Sequence, residues 1–259
     1  MQPLSKSRLK ELASFRQQKT CDEQGFFVAE GEKLAAEILA MGIPIHTLCA
    51  TADWFEKHSG NPEIQASCPS ATEHSNIQTF SITDEQLQRL SSLRQPNKVW
   101  MLLDRTAVST VNCQPSTPLT LVLDHIQDPG NLGTVIRTAD WFGIRQIICS
   151  PDTVSCFNPK VVQSTMGSLF RVRVSYCDLH EWLSRCGMPV YGAVLDGINL
   201  RQAALSTPAA LVIGNESRGI SPEIRPLLTN CIAIPNIGAT CESLNAAVAT
   251  AILVSKFVI

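Results

Sequence analysis

Along this chain short apolar runs alternate with segments of helical spacing. Leu4, Leu9, Leu12 and Phe15 fall on one helical face and predict a helix over 5–19. FFVAEG then reads as a strand, GEKLAAEILAMG as a helix closed by Gly42, and IHTLCA as a strand. The helix ADWFEKH, a polar stretch, the helix DEQLQRLSSL entered through Thr83, and the strand KVWMLLD complete this part. Residues 106–117 carry Ser, Thr and Pro without apolar periodicity and read as a linker. Beyond it the rhythm is regular. Strands LTLVLD, RQIICS, LFRVRVSY, PVYGAVLD, AALVIGNE and CIAIPN are each followed by a helical segment. These are NLGTVIRTADWFG, PKVVQSTMG, CDLHEWLSRCG, a short helix near INLRQAAL, SPEIRPLL and the last stretch, AAVATAILVSKFVI. The prediction is α/β: a small domain over 1–105, a linker, and a domain over 118–259 with a mostly parallel sheet covered on both faces.

Composition narrows the class. A length of 259 residues suits one large or two modest domains. No apolar run reaches the roughly 18 residues of a membrane span, and MQPLSKSRLKELASF lacks the apolar core of a signal peptide, so a cytoplasmic protein is expected. The ten cysteines include no C-x-x-C pair, which argues against zinc, and no metal is expected. Cys149, Cys177 and Cys231 lie in or beside apolar runs and read as small hydrophobes, and Cys241 as incidental. A net charge of −2 does not itself point to nucleic acid. Lys6, Arg8, Lys10, Arg16 and Lys19 face only Glu11 over 1–19; a phosphate-contacting arm and a solvated helix face both fit.

Three blocks carry the chemistry: DHIQDPGNLGTVIRTADWFGI (124–144), LVIGNESRGISPE (211–223) and IPNIGATCESLNAAVATAI (234–252). Each breaks from a strand into glycines and hydrogen-bonding side chains, and such loops at the ends of parallel strands face a shared crevice. Asn131, Arg137, Glu216, Ser243 and Asn245 stand where packing alone does not require them. Blander accounts exist for several. Asp128-Pro129-Gly130-Asn131 supplies a helix cap, Ser243 opens the last helix as an N-cap, and Glu216 caps a helix or pairs with Arg218. Arg137 lies off the apolar stripe Leu132, Val135, Ile136, Ala139, and a surface arginine is its bland reading. His125 and Trp141 read as bland by default, with an RNA contact the alternative for His125, which follows a strand end.

The blocks resemble the three signature motifs of the SpoU/TrmH group of the SPOUT superfamily. Motif one is met by Asp124, Asp128-Pro129, Asn131, Gly133, Arg137 and Ala139. Motif two is met by Gly214, Glu216 and Gly219, and motif three by Ile234-Pro235 and Ser243-Leu244-Asn245. The resemblance implies methyl transfer from S-adenosyl-L-methionine to a ribose 2′-hydroxyl of RNA, ribosomal before transfer RNA, by a homodimer whose second domain is tied in a deep trefoil knot. It implies catalytic roles for Asn131, Arg137, Glu216, Ser243 and Asn245, and cofactor contacts from Leu195, Gly214, Glu216, Gly219, Ile234, Ser243 and Leu244. Within it Arg137 is the residue on the acceptor ribose, as a base or, more simply, as a positioning charge, since a free guanidinium has a pKa above about 12. GFFVAEGEK (25–33) resembles the ribosomal-protein-L30e-like substrate-binding domain of many such enzymes. Two departures stand out: the loop before Ser243 is a residue longer than usual, and Asn236 replaces a common Met. An RNA-binding module with a vestigial site is the second reading. A dinucleotide-dependent oxidoreductase, the third, lacks the G-x-G-x-x-G turn.

Overall fold

The computed structural model describes residues 2–58, 77–109, 118–238 and 242–259. Two compact units form, one from 1–111 with 157–167, the other from 112–156 with 168–259. The expected boundary at 118 therefore misses one excursion. The reason is aromatic and helical packing: Phe157 lies 5.0 Å from Phe27, the Arg105 guanidinium sits 4.9 Å over the Phe157 ring, and the helix Pro159–Thr165 packs on the strand Phe26–Glu30.

In the first unit, β1 (Gln2–Pro3), β2 (Phe26–Glu30), β3 (Thr47–Thr51), β4 (Gln78–Ile82) and β5 (Val99–Asp104) form a mixed sheet in the order β1-β4-β3-β5-β2. Only β5 runs antiparallel to its neighbours. The predicted 5–19 helix breaks after Arg16, because Gln17 is extended, and a second helix covers Gln18–Gln24. Leu9, Leu12 and Phe15 are buried, as their spacing predicts, and Trp100 and Leu102 join them in the core. The basic segment is part of this packed helix. Arg8 bonds Glu11 and the Gln78 amide oxygen, and Arg16 reaches the Arg89 carbonyl at 3.5 Å. Thr83 enters its helix through a reciprocal capping box with Gln86. The polar stretch 59–76, most of the linker, Cys68, Cys113 and Cys241 lie outside the described residues.

The second unit holds β6 (Leu119–Leu123), β7 (Gln146–Cys149), β8 (Arg173–Tyr176), β9 (Val190–Asn199), β10 (Ala209–Ile213) and β11 (Asn230–Ala233). Their order is β11-β9-β10-β6-β7-β8 and every pairing is parallel. β6 and β10 are buried at all positions, as strands covered on both faces must be. From β6 the chain works outward through β7 and β8, then returns to the other side for β9. The strand order thus reverses beside β6, and in sheets of this kind ligands bind outside the carboxyl ends of the strands at such a point. Near 198–205 the expected helix gives way to a longer β9, whose Ile198 and Asn199 pair with Ile232 and Ala233 past a bulge. SPEIRPLL forms turns and a short 3-10 helix, Arg225–Leu227, since Pro222 and Pro226 lack backbone donors.

Candidate active site

The first block leaves the end of β6. Asp124, 1 % exposed, accepts the Ser221 amide at 2.7 Å on one oxygen and His125 Nδ1 at 2.7 Å on the other. Asp128 caps the helix Pro129–Trp141 by accepting the Asn131 amide at 2.8 Å, so helix entry accounts for it. Leu132, Val135, Ile136 and Ala139 are fully buried. Asp140 anchors the far end through Arg145, Arg171 and the Ser168 hydroxyl.

After β10 the backbone turns back on itself. Asn215 and Gly219 exchange backbone bonds of 3.0 and 2.9 Å, and Gly219 adopts φ +69°. A Cβ on Gly214 would stand 2.3 Å from the Gly219 carbonyl carbon. Motif two thus needs its first glycine for close approach and its second for a left-handed turn.

The third wall corrects one expectation. Asn245, not Ser243, is the N-cap of the C-terminal helix Ala246–Val258, accepting the Ala247 and Val248 amides at 3.0 and 3.3 Å. Its Nδ2 meanwhile donates to Asn131 Oδ1 at 2.8 Å. Asn131 Nδ2 in turn donates to Glu216 Oε1. One chain of side-chain hydrogen bonds therefore joins motif three to motif one and motif one to motif two.

Beside this network lies a cavity of about 800 Å³, within the range of small-molecule pockets. Leu195, Gly214, Glu216, Gly219, Ile234, Ser243 and Leu244, all expected to contact a cofactor, line it. Ile237 and Leu195 are 79 % and 78 % exposed at its margin, apolar surface that a flat ligand would cover. Arg225 closes one side on Asp196, with Nη2 2.6 Å from Oδ2. Asn131 and Asn245 sit behind the lining residue Glu216. Arg137 stands apart: it is exposed, does not line the cavity, and forms no hydrogen bond or ion pair among the described residues.

A model of the SpoU rRNA Methylase family matches residues 118–255. The chain belongs to this family. A second model, of the MRM3-like substrate binding domain, matches residues 6–100. A tRNA/rRNA methyltransferase of Synechocystis, itself uncharacterised, is 31 % identical over 252 residues, spanning 95 % of this chain and 88 % of its own. The 23S rRNA (guanosine(2553)-2′-O)-methyltransferase RlmP of Bacillus subtilis is 38 % identical over 138 residues, 52 % of this chain and 55 % of the relative. Among solved structures, the AdoMet-bound rRNA methyltransferase of Sinorhizobium meliloti superposes with a TM-score of 0.81 at 26 % identity, covering 99 % of this chain and 96 % of that one. A TrmH-family protein of Porphyromonas gingivalis gives 0.80 at 37 % identity, with 99 % and 98 % covered.

Within this SpoU framework several residues escaped sequence reasoning. Asn215, Asp196, Arg225 and Ile237 line the cavity, and Ser221 fastens the loop beyond it. The signal for Asn215 was present, an asparagine directly after the glycine that follows a strand end, where its side chain makes local turns. His125 also proves more than a plain loop residue. It takes φ 59°, its Nε2 lies 3.2 Å from Asp152, and its pKa is raised by the Asp124 hydrogen bond and then by the charges of Asp124, Asp152 and Glu223 against the opposing pull of burial. A raised imidazole pKa means that the protonated form favours the fold. That contribution is complete below the unfolded value near ~6.5 and fades as pH rises through the folded one. Thermal melts should accordingly show a Tm that falls from about pH 6 to about pH 8, with a smaller fall in His125→Asn, which tolerates the left-handed backbone. Equal slopes in the two proteins would remove His125 as the source.

Proposed function

We propose that this protein transfers the methyl group of S-adenosyl-L-methionine to the ribose 2′-hydroxyl of a nucleotide in structured RNA, ribosomal RNA in preference to transfer RNA. The observation that carries the reading is the Asn245–Asn131–Glu216 hydrogen-bond chain, which draws all three motifs to the edge of one cavity. Membership of the SpoU family and the 2′-O specificity in the name of the Bacillus relative support the reaction class. The cavity suits the cofactor in size. Leu195, Ile237 and Leu244 offer apolar cover for an adenine, and Glu216 and Ser243 offer polar groups. When bound, the cofactor supplies a methyl carbon already activated by sulfonium charge.

The chain's own residues do the rest. Gly214, Gly219, Ile234, Ser243 and Leu244 shape the donor pocket. Asn131, held from both sides, keeps Glu216 in place. Arg137 grips the acceptor nucleotide and stabilises negative charge developing on its 2′-oxygen. Since Arg137 is exposed and off its own cavity, the working site in this reading is shared in a homodimer. Trp141 at 85 %, Val248 at 49 % and Ile252 at 37 % exposure, on two helices that pack together, provide apolar surface for the second copy. The reading includes a deep trefoil knot in the second unit, consistent with β10 lying between β9 and β6. It also includes an L30e-like RNA-binding role for the first. The seven described cysteines, none of them in a disulfide, suit a reducing cytoplasm.

The test is methyl-labelled cofactor with ribosomal and transfer RNA from cells lacking the protein. Label on a 2′-oxygen of ribosomal RNA is the expected result. RNA bound without label would favour the alternative of a vestigial site, and label on a base would overturn the reaction assignment.

A further inference from the structure

Asn215, on the cavity wall, makes four side-chain hydrogen bonds. Its Oδ1 accepts the Ser217 amide at 3.0 Å, the Ser217 hydroxyl at 2.9 Å and the Arg218 amide at 3.2 Å. Its Nδ2 donates to the His125 carbonyl at 2.8 Å. Together with the two backbone bonds to Gly219, these fix the course of 215–219, all of which line the cavity. The other end of the loop is tied to the same dipeptide, because the Ser221 amide donates to the buried Asp124 carboxylate at 2.7 Å. Motif two is thus clamped at both ends to Asp124-His125. Glu216, next to Asn215, carries the bond that meets Asn131.

We infer that Asn215 is a positioning residue of the methyl-transfer site: through the His125 carbonyl and the Ser217 and Arg218 amides it holds the 214–221 loop as the wall of the donor pocket and aims Glu216 at Asn131. The inference rests on the reading of the cavity as the S-adenosylmethionine site. An asparagine is required because the two roles differ in sign. One face must accept from two backbone amides, and the other must donate to a carbonyl. Aspartate keeps the first role and turns the second into repulsion between oxygens. Alanine removes both and strands two amide donors and a carbonyl in the clamp.

The test compares wild type with Asn215→Asp and Asn215→Ala by calorimetric titration of S-adenosylmethionine and by hydrogen exchange of the full chain. Exchange at 214–221 and 124–126 should rise in both variants, more in Asn215→Ala, with the remaining amides protected as in wild type. Affinity should fall about tenfold or more in Asn215→Ala, the loss expected when hydrogen-bond partners are left unsatisfied, and by less in Asn215→Asp. Wild-type exchange at the loop in both variants overturns the inference, as does a rise spread evenly over the chain, which marks a merely structural residue. Loop-confined exchange with undiminished affinity also overturns it. If the wild type itself binds no S-adenosylmethionine, the functional reading fails and the assignment of Asn215 to that site goes with it; exchange confined to the loop would then leave the clamp alone standing.

Discussion

Arg137→Ala should bring methyl transfer down by about two to three orders of magnitude, the usual consequence of removing one charge-stabilising donor from a reacting oxygen. Affinity for S-adenosylmethionine should stay within about twofold of wild type, because the guanidinium takes no part in the cavity lining. The melting temperature should not move. Arg137 is exposed and forms no hydrogen bond or ion pair among the described residues, while the helix that carries it is held by Leu132, Val135, Ile136 and Ala139. Arg137→Lys keeps the charge and loses the planar fork, so only partial recovery is expected. Single-turnover kinetics with saturating cofactor separate these effects. Full turnover in the alanine variant would strike Arg137 from the mechanism and return it to the bland role of a surface arginine.

Gly214→Ala should be the most damaging small substitution in the second unit. The three atoms nearest its new Cβ would all be backbone: the Gly219 carbonyl carbon at 2.3 Å, the Ile220 nitrogen at 2.4 Å and the Gly219 oxygen at 2.5 Å. No rotamer change relieves such a clash, since the obstructing atoms belong to the returning strand of the loop. Overpacking of this kind costs about 1–3 kcal/mol where side chains give way, and the upper end or beyond is expected where backbone must move. Cofactor binding should be lost and the Tm should fall by several degrees. Gly238→Ala is the control, with no heavy atom of the described residues beyond its chain neighbours within 4 Å of the added carbon, and should behave as wild type. Binding titrations and melts on the three proteins decide the matter; an unperturbed Gly214→Ala would mean that the 214–220 loop is laid out differently.

Much of this site was legible in the sequence because its parts are local. The turn of motif two shows as two glycines at fixed spacing, and the stripe Leu132, Val135, Ile136, Ala139 shows as helical periodicity. The seven residues expected around a cofactor all line one cavity. What was not legible depends on pairing at a distance. Periodicity marks β6 and β10 as strands, yet nothing in it places β10 between β6 and β9 or sends 157–167 into the first unit. The last helix was expected to open at Ser243, a common cap residue. Asn245 takes the position, its side chain accepting two helix amides while it also donates to Asn131, a partner 114 residues away in sequence. The bonds of Asn215 were hidden for the same reason. Its turn partners are near neighbours, but the one that fastens the loop, the His125 carbonyl, is 90 residues away.

The strand order carries a consequence for biogenesis. β6 emerges from the ribosome well before β10, its neighbour towards the site, and β9 before both of its partners, β10 and β11. A nascent or truncated chain ending short of Ala209 would hold open hydrogen-bonding edges on β6 and β9, flanked by apolar side chains. Such chains are candidates for chaperone capture and aggregation until the stretch from Ala209 onward is delivered.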